Sequence, residues 1–374
     1  MDIVKKAGCI FINAKNQKIA LVLRNGDYSF PKGHLEEMET LSECAKRETT
    51  EETGHDVEII GNEIDMIKYQ STAGENVENH FFVGIDIGLT NFKIANKDKE
   101  DTEWFKIDDI ENKLSYQNLK DLWNRISPKI VDILKNLQLD ILVSKEDKYC
   151  YSYIKLKDES YISTNIYYIE DLNFNNIKQY NFNKHIIYFL CNVNLNYKVI
   201  EKLQGLNCYF INKNFFTHNY TKFNVQKKLS NNNILTPKIY SIDELNRISY
   251  PVFCKENSHV GINLIVYSEN TLIRFFSKFN SSDFYCEKII KQGIEKKIYF
   301  VNGIVYDGNK TIDDKKLQKL FKKISSILGL EAYSADIINN ENKNVVIDIN
   351  PNSGYYGSNI ARKSFLKFII GCQK

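Results

Sequence analysis

The chain has no apolar run approaching the roughly 20 residues that span a bilayer, no charged-then-apolar leader and no CxxC pair. Its eight cysteines, at 9, 44, 150, 191, 208, 254, 286 and 372, are scattered without zinc-like spacing. Several fall in apolar strand-like stretches such as IIYFLCN, around Cys191, and YPVFCK, around Cys254, where a reduced thiol acts as a small hydrophobe. These absences argue against a membrane protein and a disulfide framework, and point to a soluble protein in a reducing, cytoplasmic compartment. An excess of either charge is also missing. Fifty basic against 47 acidic residues leave a net charge of +3, which gives no reason to expect a nucleic-acid partner.

Aromatic residues make up 13% of the chain, enough for well-filled cores and too many for disorder. A length of 374 residues exceeds one ordinary core, so more than one domain is expected. The richness in Asn, Lys and Ile says nothing about mechanism.

The densest chemistry lies in GHLEEMETLSECAKRETTEETGH, residues 33–55. Thr40 and Glu43 form an S/T-x-x-E capping box, so a helix should begin at about Thr40, and Gly54 is a natural stop. At about 3.6 residues per turn, Glu48, Glu51 and Glu52 project from one face of that helix. Crowded carboxylates repel unless a divalent cation neutralises them, and oxygen-only ligands favour Mg²⁺ or Mn²⁺. A solvated acidic helix face is the plainer alternative.

The order Gly33, Glu39, Arg47-Glu48, Glu51-Glu52, Gly54 resembles the Nudix box of pyrophosphate hydrolases. The resemblance implies that Glu48, Glu51 and Glu52 hold the metal, with Glu39 and Arg47 supporting loop and helix and Gly33 shaping the loop. Thr49 and His55 stand where the family usually has apolar residues, and the Thr49 hydroxyl could bond back to the helix backbone. Strand-like AGCIFIN and KIALVLR, strand candidates at 56–60, 64–70 and 80–87, and helical spacing over 117–137 fit the Nudix fold over residues 1 to about 138. In that helix Leu119, Leu122, Trp123, Ile126, Ile130, Ile133 and Leu134 share one side. The phrase SFPKGHLEE, with Lys32 and His34 around the glycine, looks most like the diadenosine-polyphosphate and diphosphoinositol branches. Asp98 and Glu100 lie where relatives place a further acid, or they belong to a polar loop. His80 reads as structural.

The pattern changes near Asp140. HIIYFLCN, NYKVIEKLQGL and CYFINKN read as strand, helix, strand, and a helix follows that ends before Pro237. NNEN between two strand-like runs signals a hairpin pairing 332–338 with 344–350. Alternation puts Asp348 and Asn350 on one face, and an even register adds Asp336, giving a hard oxygen site suited to Mg²⁺. Residues from about 145 to 370 resemble the ATP-grasp superfamily, nearest the D-alanine–D-alanine ligase and glutathione synthetase branches. That resemblance implies metal binding by Asp336, Asp348 and Asn350, and phosphate contacts from Lys222 and Lys255. It also implies an adenine hinge at Glu287 and an acidic-x-basic pair, Glu295 and Lys297, near ribose and phosphate. His259, in the loop SHVGIN, reads as a solvated loop residue.

The expectation is an α/β (α+β) protein: a Nudix α/β/α sandwich over 1–140, a βαβ subdomain over 141–215 and an ATP-grasp domain over 216–374. Its partners would be a nucleoside diphosphate derivative, ATP, and a small carboxylate with an amine acceptor, joined through an acyl phosphate. Two alternatives stay open. The second half could phosphorylate a hydroxyl, as an inositol-phosphate-type kinase would, or one domain could be a nucleotide sensor regulating the other. Oligomeric state is not legible in the sequence.

Overall fold

The computed structural model describes residues 3–92, 99–145, 152–172, 177–190, 201–203, 205–213, 221–241, 244, 247–257, 261–340 and 343–372. Asp98, His259, Cys150 and Cys191 lie outside the described residues, as do Glu341 and Asn342 of the hairpin tip. The architecture is mixed α/β, built on several separate sheets.

The first sheet has seven strands: β1 (Ile3–Asn13), β2 (Lys18–Arg24), β3 (Asp27–Ser29), β4 (Lys32–His34), β5 (His55–Gln70), β6 (Asn76–Leu89) and β7 (Asp101–Lys106). Its path is β3-β2-β1-β6-β5, with β4 also on β1 and β7 on β2. The central pair β1 and β6 is parallel. The strand candidates 56–60 and 64–70 are one strand, β5, whose register shifts between Ile60 and Asp65. Gly61 takes a φ of +68° inside that irregularity, which is why the sequence reads as a break.

Helix α1 (Leu41–Thr53) covers one face of this sheet, with Cys44 and Ala45 against Ala7, Cys9, Phe11 and Phe82. After the short α2 (Ile110–Lys113), helix α3 (Gln117–Asn136) covers the other face. Leu119, Leu122, Trp123, Ile126, Ile130 and Leu134 are buried with Ile10, Phe30, Phe81 and Val83, and Ile133 packs partly buried at their edge. Each such fully buried side chain contributes about 1.5–3 kcal/mol.

The second sheet is wholly parallel, in the order β11-β10-β8-β9, from β8 (Gln138–Val143), β9 (Ser163–Tyr168), β10 (Ile186–Phe189) and β11 (Tyr209–Phe210). The boundary expected at 140/141 falls inside β8. The apolar cluster under α3 also continues into Leu139, Ile141, Tyr188 and Phe365, so both halves of the chain contribute to one core. The change of pattern near Asp140 falls within the largely apolar QLDILV, whose side chains are shared with this core.

Two antiparallel sheets complete the fold. One runs β12-β15-β13-β14, from β12 (Ile239–Tyr240), β13 (Val252–Glu256), β14 (Asn263–Val266) and β15 (Phe284–Lys288). The other runs β18-β17-β16-β19-β20, from β16 (Ile294–Val301), β17 (Ile304–Asp307), β18 (Lys310–Thr311), β19 (Ala332–Asn340) and β20 (Lys343–Asn350). The remaining described helices are α4 (Ser152–Glu159), α5 (Lys222–Asn231), α6 (Glu269–Phe276), α7 (Lys315–Leu328) and α8 (Asn359–Gly371). No helix among the described residues is long and apolar enough to cross a membrane.

A bidentate ion pair ties α8 to α4. Arg362, 3% exposed, donates from Nε and Nη2 to Glu159 at 2.7 and 2.8 Å. The arginine holds the Glu159 carboxyl below its ordinary value of 4.5. A carboxylate held low contributes stability that is present above its unfolded value and lost as pH falls through the folded one. Glu159→Gln should therefore destabilise the protein by about 1–2 kcal/mol at neutral pH, the partly exposed carboxylate being screened. In thermal unfolding followed from pH 7 downward, the gap between wild type and variant should close only below pH 4.5. A gap independent of pH would contradict the pairing.

Candidate functional site

Helix α1 starts and stops as its local chemistry dictates. The Thr40 hydroxyl accepts from the Glu43 amide while the Glu43 carboxylate accepts from the Thr40 amide, and Gly54 closes the helix in the left-handed region. The guanidinium of Arg47 then organises the acids around it. Its Nε and Nη2 donate to the two oxygens of Glu39 at 2.9 and 3.0 Å. Its Nη1 is shared between Glu48 at 2.7 Å and Glu51 at 3.0 Å, and Nη2 also reaches the His34 carbonyl. Hydrogen bonding to Arg47 holds the Glu39 carboxyl low, and Glu39 in turn holds the guanidinium charged.

Glu52 points inward. It accepts from the Lys32 backbone amide at 2.8 Å and from Arg24 Nη2 at 3.1 Å. Burial pushes its carboxyl up to about 7, against the pull of Lys32 and Arg24. Arg24 also bonds Glu100 at 2.7 Å, and the Glu100 amide donates to the Glu52 carbonyl, so the chain after β6 returns to this helix end. Sequence reasoning missed Arg24 because its partner is supplied by the sheet and not by any local spacing.

Gly33 serves by its lack of volume. A Cβ there would lie 2.0 Å from the Glu48 carboxylate, and the φ of Gly33 is not positive, so close approach and not an unusual backbone requires glycine. The expected back-bond from Thr49 is not made. Its buried hydroxyl has no partner among the described residues. His55 packs edge-on to Phe11 and Trp104 and bonds Asp86 at 2.9 Å, which explains how a polar residue fills an apolar position. His80 bonds Glu63 at 2.9 Å.

A second group of charges gathers on β13, β15, β16, β19, β20 and α5. Asp336 and Asp348 are direct cross-strand partners, and Ser334 faces Asn350, so the hairpin register has the even parity that puts both aspartates on one face. Lys297 of β16 pairs with Asp336, its Nζ 3.4 Å from Oδ1. Lys222, in the first turn of α5, reaches Asp348 at 3.2 Å. Lys255 bonds Glu287 at 2.8 Å and the Ile347 carbonyl at 3.1 Å, and Tyr285 donates to Glu287 at 3.1 Å. Burial raises the Glu287 carboxyl in spite of Lys255, and raises Asp336, with Lys297 opposing and Asp348 adding to the rise. Asn350 accepts from the Asn352 amide at 3.0 Å. Glu295 is exposed and adds repulsion to Asp336.

Among the described residues no three His, Cys, Asp or Glu side chains converge on one point. At both places cations occupy the space between carboxylates instead: Arg47 between Glu48 and Glu51, and lysines on Asp336, Asp348 and Glu287. The donor sets are nonetheless oxygen-rich and suit a hard divalent cation, provided the protein's own cations shift aside. Gly33→Ala should push the Glu48 carboxylate away from Arg47 with little effect on the fold. Its thermal midpoint should stay within a few degrees of wild type while the added stability given by Mn²⁺ largely disappears. An undiminished Mn²⁺ effect would show that Glu48 takes no part in holding an ion.

Residues 3–125 match the family model of the NUDIX domain. Among solved structures, the chain is similar to a NUDIX hydrolase from Nitrosomonas europaea at 20% identity and a TM-score of 0.28, over 34% of this chain and 90% of that one. It is similar also to a RimK-domain ATP-grasp protein from Sphaerobacter thermophilus, at 11% identity and a TM-score of 0.49, over 62% of this chain and 100% of that one. A D-alanine–D-alanine ligase from Bacillus anthracis complexed with ATP matches at 16% identity and a TM-score of 0.45, over 58% and 86% of the two chains. The N-terminal part of this chain, residues 3–125, is a Nudix domain carried in an enzyme of mixed α/β architecture.

Proposed function

We propose that the protein is a bifunctional enzyme: a Nudix hydrolase of nucleoside diphosphate derivatives joined to an ATP-grasp unit that activates a carboxylate for attack by an amine. The observation that carries this reading is the pair of separate carboxylate groups, each already countered by basic side chains. A phosphate-bound divalent cation could take the place of those basic groups at either one. The proposed division keeps each sheet whole, with the first unit ending at Leu137 and β8 belonging to the second.

In the first unit, Glu48, Glu51 and Glu52 would hold Mg²⁺ or Mn²⁺, which supplies charge neutralisation of the diphosphate and acidifies an attacking water. The chain's own contribution is placement. Glu39 anchors Arg47, Arg47 aligns Glu48 and Glu51, and the Lys32 amide with Arg24 fixes Glu52. Glu100 is placed to support that same end through Arg24.

In the second unit, Asp336, Asp348 and Asn350 would hold the metal that accompanies ATP, while Lys222, Lys255 and Lys297 turn from their carboxylates to phosphate oxygens. Glu287 would hold Lys255 ready, and Glu295 would lie at the ribose side. Such catalysis is positioning and charge neutralisation. A carboxylate oxygen attacks the γ-phosphorus and ADP departs; the amine then attacks the acyl carbon and inorganic phosphate departs. A hydroxyl acceptor would instead keep the phosphoryl group as an ester, so phosphate release in step with ADP supports the ligase and its absence supports the kinase.

Replacing Glu51 and Glu52 together by Gln should lower Mg²⁺-dependent hydrolysis of a nucleotide-diphosphate panel by about two orders of magnitude or more with little change in melting temperature. Near-normal hydrolysis would remove the assignment. Lys255 cannot be deleted alone without stranding a buried Glu287, at a cost of about 3–5 kcal/mol. The paired change Lys255→Met with Glu287→Gln avoids that and should abolish ATP binding measured by calorimetry, with diphosphate hydrolysis retained. Unaltered ATP affinity would place the nucleotide elsewhere.

A further inference from the structure

Helix α8 packs against both β5 of the first sheet and β16 of the last, and these elements border a cavity of about 660 Å³. That volume lies within the roughly 300–1,000 Å³ of small-molecule sites. None of the side chains lining it belongs to either carboxylate group described above. Ser364, Lys367, Phe368 and Gly371 recur at helical spacing, so one face of α8 forms a wall of the cavity. A Cβ on Gly371 would meet no heavy atom within 4 Å, and its φ is not positive, so the space there is open and the backbone does not demand glycine.

The cavity holds both signs of charge, and they do not close on one another. Glu331, immediately before β19, is fixed by two neutral donors: the Tyr209 hydroxyl donates to Oε1 and the Asn212 amide to Oε2 at 3.0 Å. Those bonds orient the carboxylate without cancelling its charge, and each oxygen keeps a free lone pair. Among the described residues, no cation lies within ion-pair distance of Glu331, and no carboxylate lies within ion-pair distance of the half-buried Lys367. Lysines beside an acid elsewhere in the chain do close, as Lys68 on Glu78 and Lys296 on Asp307, each at 2.7 Å. The other acid in the lining, Glu58, already has Lys46 at 3.7 Å. The uncompensated charges are therefore Glu331 and Lys367, held apart in one cavity.

The rest of the lining is partly apolar, with Ile59, Val301, Ile304 and Phe368. A simple anion would satisfy Lys367 and be repelled by Glu331, and a simple cation would do the reverse. A nucleotide, with several negative charges, would meet two carboxylates and one lysine. A molecule with an ammonium, a carboxylate and an apolar body matches all three features.

We propose that this cavity binds a small zwitterion, an amino acid or short peptide with an apolar side chain, whose ammonium pairs with Glu331 and whose carboxylate pairs with Lys367. Ile59 belongs to the Nudix sheet and Phe368 to α8 in the later half, so one ligand touches both parts of the chain.

The test is calorimetry on the full chain without ATP or divalent cation, with L-leucine and L-leucyl-L-leucine as probes. One or both should bind at one per chain with a dissociation constant of about 1 mM or tighter, and the tighter of the two tells amino acid from peptide. Leucinamide, which lacks the carboxylate, and 4-methylpentanoate, which lacks the ammonium, should bind about tenfold or more weakly than leucine. Lys367→Met should weaken the better zwitterion by about tenfold or more and leave leucinamide unchanged. Gly371→Leu, which fills the cavity from a helical position, should abolish binding with the thermal midpoint preserved. Asp336→Asn should bind as wild type does. Failure of both zwitterions to bind wild type overturns the site, as does affinity unaltered in both Lys367→Met and Gly371→Leu. Binding lost in Asp336→Asn and kept in Gly371→Leu would place the ligand with the ATP-grasp carboxylates and overturn it equally.

Discussion

A carboxylate can leave water only beside a compensating charge or a set of hydrogen bonds, and both charged regions of this enzyme are arranged around that constraint. Arg47 stands among Glu39, Glu48 and Glu51, and Arg24 with the Lys32 amide holds Glu52. Lys297, Lys222 and Lys255 do the same for Asp336, Asp348 and Glu287. The geometry of each acid is fixed before any ligand arrives. On the proposed reading, a metal–phosphate pair brings a cation for the acids and an anion for the displaced bases together.

The two regions are not independent modules strung together. The cluster beneath α3 runs from Ile10 and Phe81 through Leu139 and Tyr188 to Phe365 and Ile369, so the Nudix sheet and the later sheets close on common apolar side chains. Asn212 strengthens the second half in the same way. Its side chain accepts from the Glu331 and Ala332 amides and donates to the Ala332 and Pro351 carbonyls, joining the parallel sheet to both strands of the aspartate hairpin. A positive φ at Asn212 turns the chain back to make those contacts.

What the sequence disclosed was what short-range physics controls. The Thr40–Glu43 box, the Gly54 stop, the buried stripe of α3 and the Asp336–Asp348 parity follow from capping, helical period and strand alternation. Long-range pairing was hidden. Arg24 meets Glu52 only because β2 and α1 are brought together by the sheet, and the lysines on Asp348 and Glu287 come from other elements far along the chain. The gap between the candidates 56–60 and 64–70 is absorbed by β5 as an irregularity, and the change of pattern near Asp140 falls inside β8. Gly33 was legible as a special position, but its reason, room for the Glu48 carboxylate, needed the packed helix.

Both carboxylate groups are held to be metal–phosphate sites that differ in what brings the metal in, and counting bound Mn²⁺ by electron paramagnetic resonance tests this most directly. Wild type should show one class of Mn²⁺ without nucleotide, lost when Glu51 and Glu52 become Gln. A second class should appear only with a non-hydrolysable ATP analogue and be lost in Asp336→Asn. A single class of ion, or loss of both classes in either variant, would contradict the assignment of two separate sites.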